Sequence, residues 1–451
     1  MRVFAGLMAL ALGAAAQTFD AEALEKTARA ELTAAKVPGA AIALVQDGKL
    51  LYAGGVGVAN IETGQAVTRD TLFRLGSTTK MFTAAAVVSL ALEGKLSLDE
   101  PIGKRIPGLP ARIAGLTAHQ LLTHTAGIRD EAPMFGPDDE DALGKGILAW
   151  PDDYLFAAPG KVMSYSNPGY WLAGYLAESA AGKRYADVVN ERIFQPLGMR
   201  RSTLRPLMAM TYPLAQGHDV RDGVPVIGRP AANHAGTFPS GSVYSSAEEL
   251  ARFAIALMDQ GRVDGKQALP AELPALLMKR AVPIPGSSNS YAYGLILEEL
   301  RGQRFAQHGG ARAGYGSIVR MAPEKRAAVI VLANRSAASL DRTAAAALEM
   351  VLPLRPAEPA GLKPAVAIPE KDFPLYTGAF AHGARKVEIA VEEGRLVLKA
   401  GARTSPLTLH EGDKMSFPAP GTNRTDLMNL VRGEGGRVEF LTSAMRAMAR
   451  Q

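Results

Sequence analysis

Two hairpin-like segments far apart in the chain bracket a helix-rich middle, and this arrangement limits the fold more than any other feature. Ala41-Ile42-Ala43-Leu44-Val45, a Gln46-Asp47-Gly48 turn and Leu50-Leu51-Tyr52 read as one pair of strands. Ser317-Ile318-Val319-Arg320-Met321 and residues 327–332, joined across Pro323-Glu324-Lys325, read as another. A helix capped by Asp20 and running to about Lys36 precedes the first pair, and a helix over 339–351 follows the second. Between them, a strongly apolar helix is predicted over 77–92. Helices and loops then run from 117 to 260, including 169–181 and a capping box at Ser246-Ala247-Glu248-Glu249. Strands at both ends of a helical middle predict one α+β body, its sheet assembled from distant parts of the chain and flanked by helices.

Beyond that body, Pro353, Pro356, Pro359, Pro364 and Pro369 read as a semi-rigid linker over 353–370. Val387-Glu388-Ile389-Ala390-Val391, the Glu393-Gly394 turn and Leu396-Val397-Leu398 then alternate with period two, so 371–451 reads as a small all-β domain. A hydrophobic content of 47% with a net charge of +6 excludes a disordered chain. Cysteine is absent, which excludes a thiol nucleophile, a disulfide framework and cysteine-ligated zinc. The basic excess has no Lys/Arg run interleaved with aromatics, so no nucleic-acid partner is expected. Arg2, an apolar run from Val3 to Leu12 and Ala14-Ala15-Ala16 form the pattern of a secretory signal cleaved after Ala16. The run is shorter than the ~20 residues that span a bilayer, so a secreted or periplasmic protein is expected, with no stable membrane insertion after cleavage. The first body then occupies 17–352.

Three short motifs carry chemistry. Ser77-Thr78-Thr79-Lys80 places a hydroxyl and an ammonium three residues apart at a helix start, hence on one face. A serine is a poor nucleophile until a neighbouring base takes its proton, and the helix N-terminus favours an anion there. The plain structural role for Ser77 is a helix cap. Tyr165-Ser166-Asn167 precedes the helix at Pro168-Gly169; a phenol can relay a proton, and an amide can orient a carbonyl and the lysine. His308-Gly309-Gly310 lies before the Ser317 strand, where small residues let a substrate backbone pair along a strand edge.

In this order the motifs resemble those of serine hydrolases of the class C β-lactamase and penicillin-binding protein family, over about residues 20–352. Leu121-Leu122-Thr123-His124-Thr125-Ala126-Gly127-Ile128 and Ser245-Ser246-Ala247-Glu248-Glu249-Leu250 are similar to supporting stretches of that family. The resemblance implies a transpeptidase-like domain with Ser77 as acylated nucleophile, Lys80 as its neighbouring base and Tyr165 as proton shuttle. Which of Lys80 and Tyr165 is the general base stays open. It also implies that Asn167 holds a substrate carbonyl, and that the N–H groups of Ser77 and Ala311 form the oxyanion hole. His308-Gly309-Gly310 stands where the family has K-T-G, so Gly309 brings no hydroxyl and the charge of His308 is open. Arg312, with Arg301 and Arg304 as alternatives, could supply the missing cation. The C-terminal domain resembles the barrel-like extensions of some peptidase and esterase relatives, which can cover the site or mediate assembly, and it carries no recognisable chemistry of its own.

Other polar features read as structural. His124 is expected to bond its own loop, and His119 with His124 lacks the Glu of a zinc motif, so no metal or cofactor is expected. Asp138-Asp139-Glu140-Asp141 reads as a solvated loop, and of Tyr291 and Tyr293 one should pack and one line the pocket. The expectation is an exported serine hydrolase cleaving small ester, amide or peptide bonds through a Ser77 acyl-enzyme, cell-wall peptides being one source of substrate. The alternatives are a β-lactamase or D-alanyl-D-alanine carboxypeptidase, and a non-catalytic penicillin- or peptidoglycan-binding protein. The number of assembled chains is open.

Overall fold

The computed structural model describes residues 19–357, 361–419 and 424–451. The predicted signal over 1–16 and part of the proline-rich linker lie outside these residues. The first body is built on an antiparallel sheet. Its main strands are β1 (Gly39–Gln46), β2 (Lys49–Gly57), β3 (Ile296–Leu300), β4 (Gln303–Arg312), β5 (Tyr315–Ala322) and β6 (Ala327–Ala333). They lie in the order β2-β1-β6-β5-β4-β3, followed by two short strands at Ser290–Tyr291 and Val282–Pro283. The pairing of β1 with β6, Ala40 to Ala333 through Val45 to Ala328, joins the two ends of this body. Both strands are apolar along their length and buried on both faces, as expected of a sheet covered on each side.

Helix α1 (Ala21–Ala35) and a later helix over Asp341–Glu349 cover one face. Asp20 caps α1 by accepting from the Ala23 N–H. The later helix has no side-chain cap of its own. Glu31 of α1 instead accepts from the N–H groups of Arg342 and Thr343 at 3.1 and 2.7 Å and from the Thr343 hydroxyl at 2.7 Å.

The other face carries the helical layer. There α2 (Thr79–Leu92) is buried at every position from Thr79 to Leu90, which suits a run of Ala, Val, Met and Phe with no polar stripe. It packs against α3 (Asn167–Ala181), started by Ser166 and stopped by Gly182 in the left-handed conformation. Helix α4 (Ala247–Met258) seats this layer on the sheet. Ser246 caps α4 by accepting from the Glu249 N–H, but Glu249 turns away to the Arg201 N–H and the Ser202 hydroxyl. The expected capping box is therefore half made.

The C-terminal body is a nine-stranded antiparallel sheet curled into a nearly closed barrel around Phe380, Ile389, Met415, Val438 and Leu441. Its gap lies between the strands at Arg403–Pro406 and Thr408–His410. Ala365, in the proline-rich stretch, bridges to His410, so that part of the linker adheres to the barrel. We label its last two strands β7 (Val438–Ser443) and β8 (Arg446–Arg450). They form a hairpin that reaches into the first body.

Candidate active site

Ser77 does not begin the apolar helix directly. It lies in a 3-10 turn over Gly76–Thr78 that leads into α2, and its hydroxyl makes no capping bond. Lys80, one turn on, is fully buried with Nζ 3.4 Å from Ser77 Oγ. Its Nζ donates to Asn167 Oδ1 at 2.8 Å and to the Ser240 carbonyl at 2.9 Å, and it lies 4.7 Å from the Tyr165 ring centre. Burial drives the Lys80 ammonium well below the ordinary lysine range. Asp130 opposes that shift, while Arg446 and Arg312 add to it. Burial pushes the Tyr165 phenol upward, moderated by a hydrogen bond with Ser77.

The motif segment 165–167 is held from three sides. The Ser166 N–H donates to His124 Nδ1 at 3.1 Å, and the His124 ring packs on Tyr165 with centres 4.2 Å apart. His124 thus reaches out of its own loop and fixes the tyrosine segment, a correction to the expected local role. The N–H and Nδ2 of Asn167 both donate to Asp130 Oδ1, at 2.8 and 3.0 Å. The Tyr165 N–H donates to the Met445 carbonyl at 2.7 Å.

Strand β4 brings the third motif beneath the turn. Pairing with β3 stops at Gln307, so residues 308–312 bond to β5 alone and leave an edge toward the cleft. A Cβ at Gly310 would stand 1.9 Å from the Leu75 carbonyl oxygen, and one at Gly76 2.7 Å from the Ala311 backbone. Only glycines let the strand and the serine turn approach this closely, with Gly76 also at φ +55°. The backbones of Ser77 and Ala311 are thereby adjacent.

His308 is buried. Its Nδ1 faces the Gly309 carbonyl at 2.6 Å and its Nε2 the Tyr291 hydroxyl at 2.9 Å. Burial, then Lys80, drives its pKa down to about 3, so the imidazole is neutral and supplies no cation. Tyr291 and Tyr293 are both fully buried, bonded to His308 and His119, and neither lines the cleft, against the expectation for one of them.

The cleft has a volume of about 630 Å³ and is lined by Ser77, Tyr165, Asn167, His308, Gly309, Gly310, Ala311 and Arg312 among others. Among the described residues, its charged lining residues are Arg312 and Arg446, and no acidic side chain lines it. Among the described residues, the buried Nε of Arg312 has no partner, and its guanidinium lies 3.4 Å from Thr237 Oγ1. Burial and Arg74 lower its pKa to about 10, which leaves it cationic at neutral pH. Arg301 and Arg304 pair with Glu349 and Glu324 and line no part of the cleft.

Sequence reasoning missed the barrel's share of this site. Met445 and Arg446, at the tip of the β7–β8 hairpin, line the cleft, and Met445 packs against the cluster formed by Met163, Tyr165, Ile284 and Tyr291. The C-terminal domain therefore does carry chemistry-bearing groups. Among the described residues, no cluster of His, Asp and Glu suitable for a metal ion is present.

The profile of the β-lactamase family matches residues 24–351. Penicillin-binding protein 4 of Amycolatopsis lactamdurans is 30% identical over 316 residues, covering 67% of this chain and 82% of that protein. The crystal structure of SurE superposes with a TM-score of 0.80 at 25% identity, over 95% of this chain and 99% of that one. The octameric penicillin-binding protein homologue from Pyrococcus abyssi superposes with a TM-score of 0.65 at 25% identity, over 96% and 99%. No helix among the described residues is long and apolar enough to cross a membrane.

Proposed function

The chain belongs to the β-lactamase family, and on that premise we propose an exported serine hydrolase that cleaves small ester, amide or peptide bonds through an acyl-enzyme on Ser77. The observation that carries this reading is the bonding of Lys80. A neutral amine has two N–H bonds and one lone pair. Asn167 Oδ1 and the Ser240 carbonyl can only accept, so they take both hydrogens and leave the lone pair for the hydroxyl of Ser77, 3.4 Å away. The depressed lysine pKa supplies that neutral form, whereas the raised tyrosine pKa keeps the phenol protonated. Lys80 is then the base, and Tyr165 relays the proton to the leaving group.

In the first step the serine proton passes to Lys80, Oγ bonds to the substrate carbonyl carbon, and the tetrahedral oxyanion is met by the N–H groups of Ser77 and Ala311. Collapse breaks the bond to the leaving group, which takes the proton through Tyr165. Water repeats the sequence in reverse and frees the acid. Asn167 and the open edge at 308–312 would hold the substrate backbone.

Arg312, a cation with no acidic partner among the described residues, favours substrates with a carboxylate near the scissile bond. SurE has been crystallised with D-Leu, a molecule that carries one such group. The neutral His308 and the absent hydroxyl at Gly309 argue against efficient β-lactam turnover. Comparing nitrocefin with p-nitrophenyl esters and short peptides ending in a free carboxylate tests the substrate. Efficient nitrocefin hydrolysis would reverse the ranking. Export predicts a mature N-terminus at Gln17 after secretion.

A further inference from the structure

We propose that Asp130 is a positioning residue for acylation, and that the C-terminal barrel holds it in place, so that the site is complete only when the barrel is docked. This rests on the serine-hydrolase reading above. Asp130 lies in the loop after Ile128, outside the sequence motifs, with its side chain only 8% exposed. Its Oδ1 accepts both the N–H and the Nδ2 of Asn167. That fixes the flip of the asparagine amide. With Nδ2 tied to a carboxylate, Oδ1 must face Lys80 Nζ, where it takes one of the amine's hydrogens. The carboxylate thus orients the lysine through the asparagine.

The barrel grips Asp130 at two points. Arg446 Nε donates to Oδ2 at 2.5 Å, and the Asp130 N–H donates to His382 Nε2 at 2.9 Å. His382 Nδ1 faces the Ala447 carbonyl at 2.7 Å. Because that carbonyl only accepts and the Asp130 N–H only donates, the imidazole is locked as one neutral tautomer. The Ala447 N–H also donates to Ser164 Oγ at 3.0 Å, and the Met445 carbonyl accepts from Tyr165. Apart from the His382–Ala447 bond, which stays within the barrel, these bonds cross from the barrel to the segments 130 and 164–165.

The hairpin that makes these contacts is strained where it makes them. Ser443 pairs with Arg446 across a two-residue turn, and both turn residues have positive φ, Ala444 at 48° and Met445 at 63°. Such turns ordinarily use Asn-Gly, and each non-glycine residue in that region carries a conformational cost. Here Met445 is retained, with its side chain against the cluster that holds Tyr165 and its carbonyl on the Tyr165 N–H. Strain kept at a docking contact is consistent with a contact that serves the site.

The test uses a small uncharged fluorophosphonate, which reports Ser77 reactivity without needing the substrate pocket. The groups facing Lys80 are Asp130, Arg446, Arg312, His308, His124, Tyr165 and Tyr170. Asp130→Asn removes the one carboxylate among them, which favours the ammonium. The rising limb of the labelling-rate profile should therefore move to lower pH, while the plateau rate falls about 10- to 100-fold as the amide loses its orientation. A purely structural loss would lower the folded fraction and leave the limb in place. His382→Phe keeps a ring packed against Phe156 but deletes the acceptor for the Asp130 N–H. It should slow labelling about 10-fold with the protein folded. Wild-type rates in His382→Phe, or a slowed Asp130→Asn with an unmoved limb, overturn the proposal. Should Asp130→Asn not fold, His382→Phe decides it alone. If the wild type is itself unlabelled at Ser77, the hydrolase reading fails instead.

Discussion

Gly310→Ala is the sharpest single-atom test of how the site is assembled. The added Cβ would stand 1.9 Å from the Leu75 carbonyl oxygen and 2.5 Å from Ser317 Oγ. Carbon contacts settle near 3.5 Å, so strand β4 and the turn carrying Ser77 must separate by roughly 1.5 Å. Overpacking of this kind costs about 1–3 kcal/mol. The kinetic effect should be larger than the stability effect. Separation moves the Ala311 N–H away from Ser77, and losing one oxyanion donor costs about 10²- to 10³-fold in turnover. The control is one residue away. A Cβ at Gly309 would meet only the Ser317 carbonyl oxygen at 3.7 Å, an ordinary contact, so Gly309→Ala should keep stability within about 0.5 kcal/mol. The assay is the labelling rate by fluorophosphonate together with urea unfolding of both variants. Gly310→Ala labelled at the wild-type rate would refute the argument that the close approach of Leu75 and Gly76 to this strand sets the oxyanion hole.

Other expectations follow from particular contacts. His308 is depressed from 6.5 to about 3 in the folded chain, so it binds its proton more readily when unfolded. Its contribution is complete above pH 6.5 and is lost as pH falls toward 3, on the order of several kcal/mol. Urea melts of wild type and His308→Gln at stepped pH should show a flatter acid limb in the variant. Glu31→Ala leaves the Arg342 and Thr343 N–H groups without their cap and should cost about 1–3 kcal/mol with labelling unchanged. Met445→Gly relaxes a strained turn and removes packing on Tyr165. Labelling should slow while the melting temperature holds. Arg312→Gln should raise KM for peptides ending in a carboxylate and spare neutral esters.

The elements that were legible in the sequence are those specified locally. The three-residue spacing of Ser77 and Lys80 predicts both groups on one side of a helical turn, and the 3-10 turn that leads into α2 keeps them there, 3.4 Å apart. The paired strands at the two ends signalled a sheet built from distant segments, and β1 lies beside β6. What stayed hidden depends on contacts between segments far apart. The Ser240 carbonyl that takes one hydrogen of Lys80 is a backbone group with no sequence signature. Asp130 follows the Gly127-Ile128 stretch with no pattern linking it to Asn167, 37 residues on. Arg446 comes to it from 316 residues away. One signal for the hairpin was available. Ala444-Met445 joins two alternating strands without Asn, Gly or Asp, which marks a turn held by something other than its own preference. The tyrosine alternation at 291 and 293 misled because the strand ends at Tyr291, and the bend that follows buries Tyr293 as well.

The central claim is that Ser77 is acylated with Lys80 as its base. Intact-mass measurement after incubation with a fluorophosphonate and with activated esters tests it most directly. The expected result is one adduct per chain on the wild type, mapping to the peptide that holds Ser77, absent in Ser77→Ala and formed at least about 10²-fold more slowly in Lys80→Met. No adduct on the wild type, or an adduct that persists in Ser77→Ala, would contradict it.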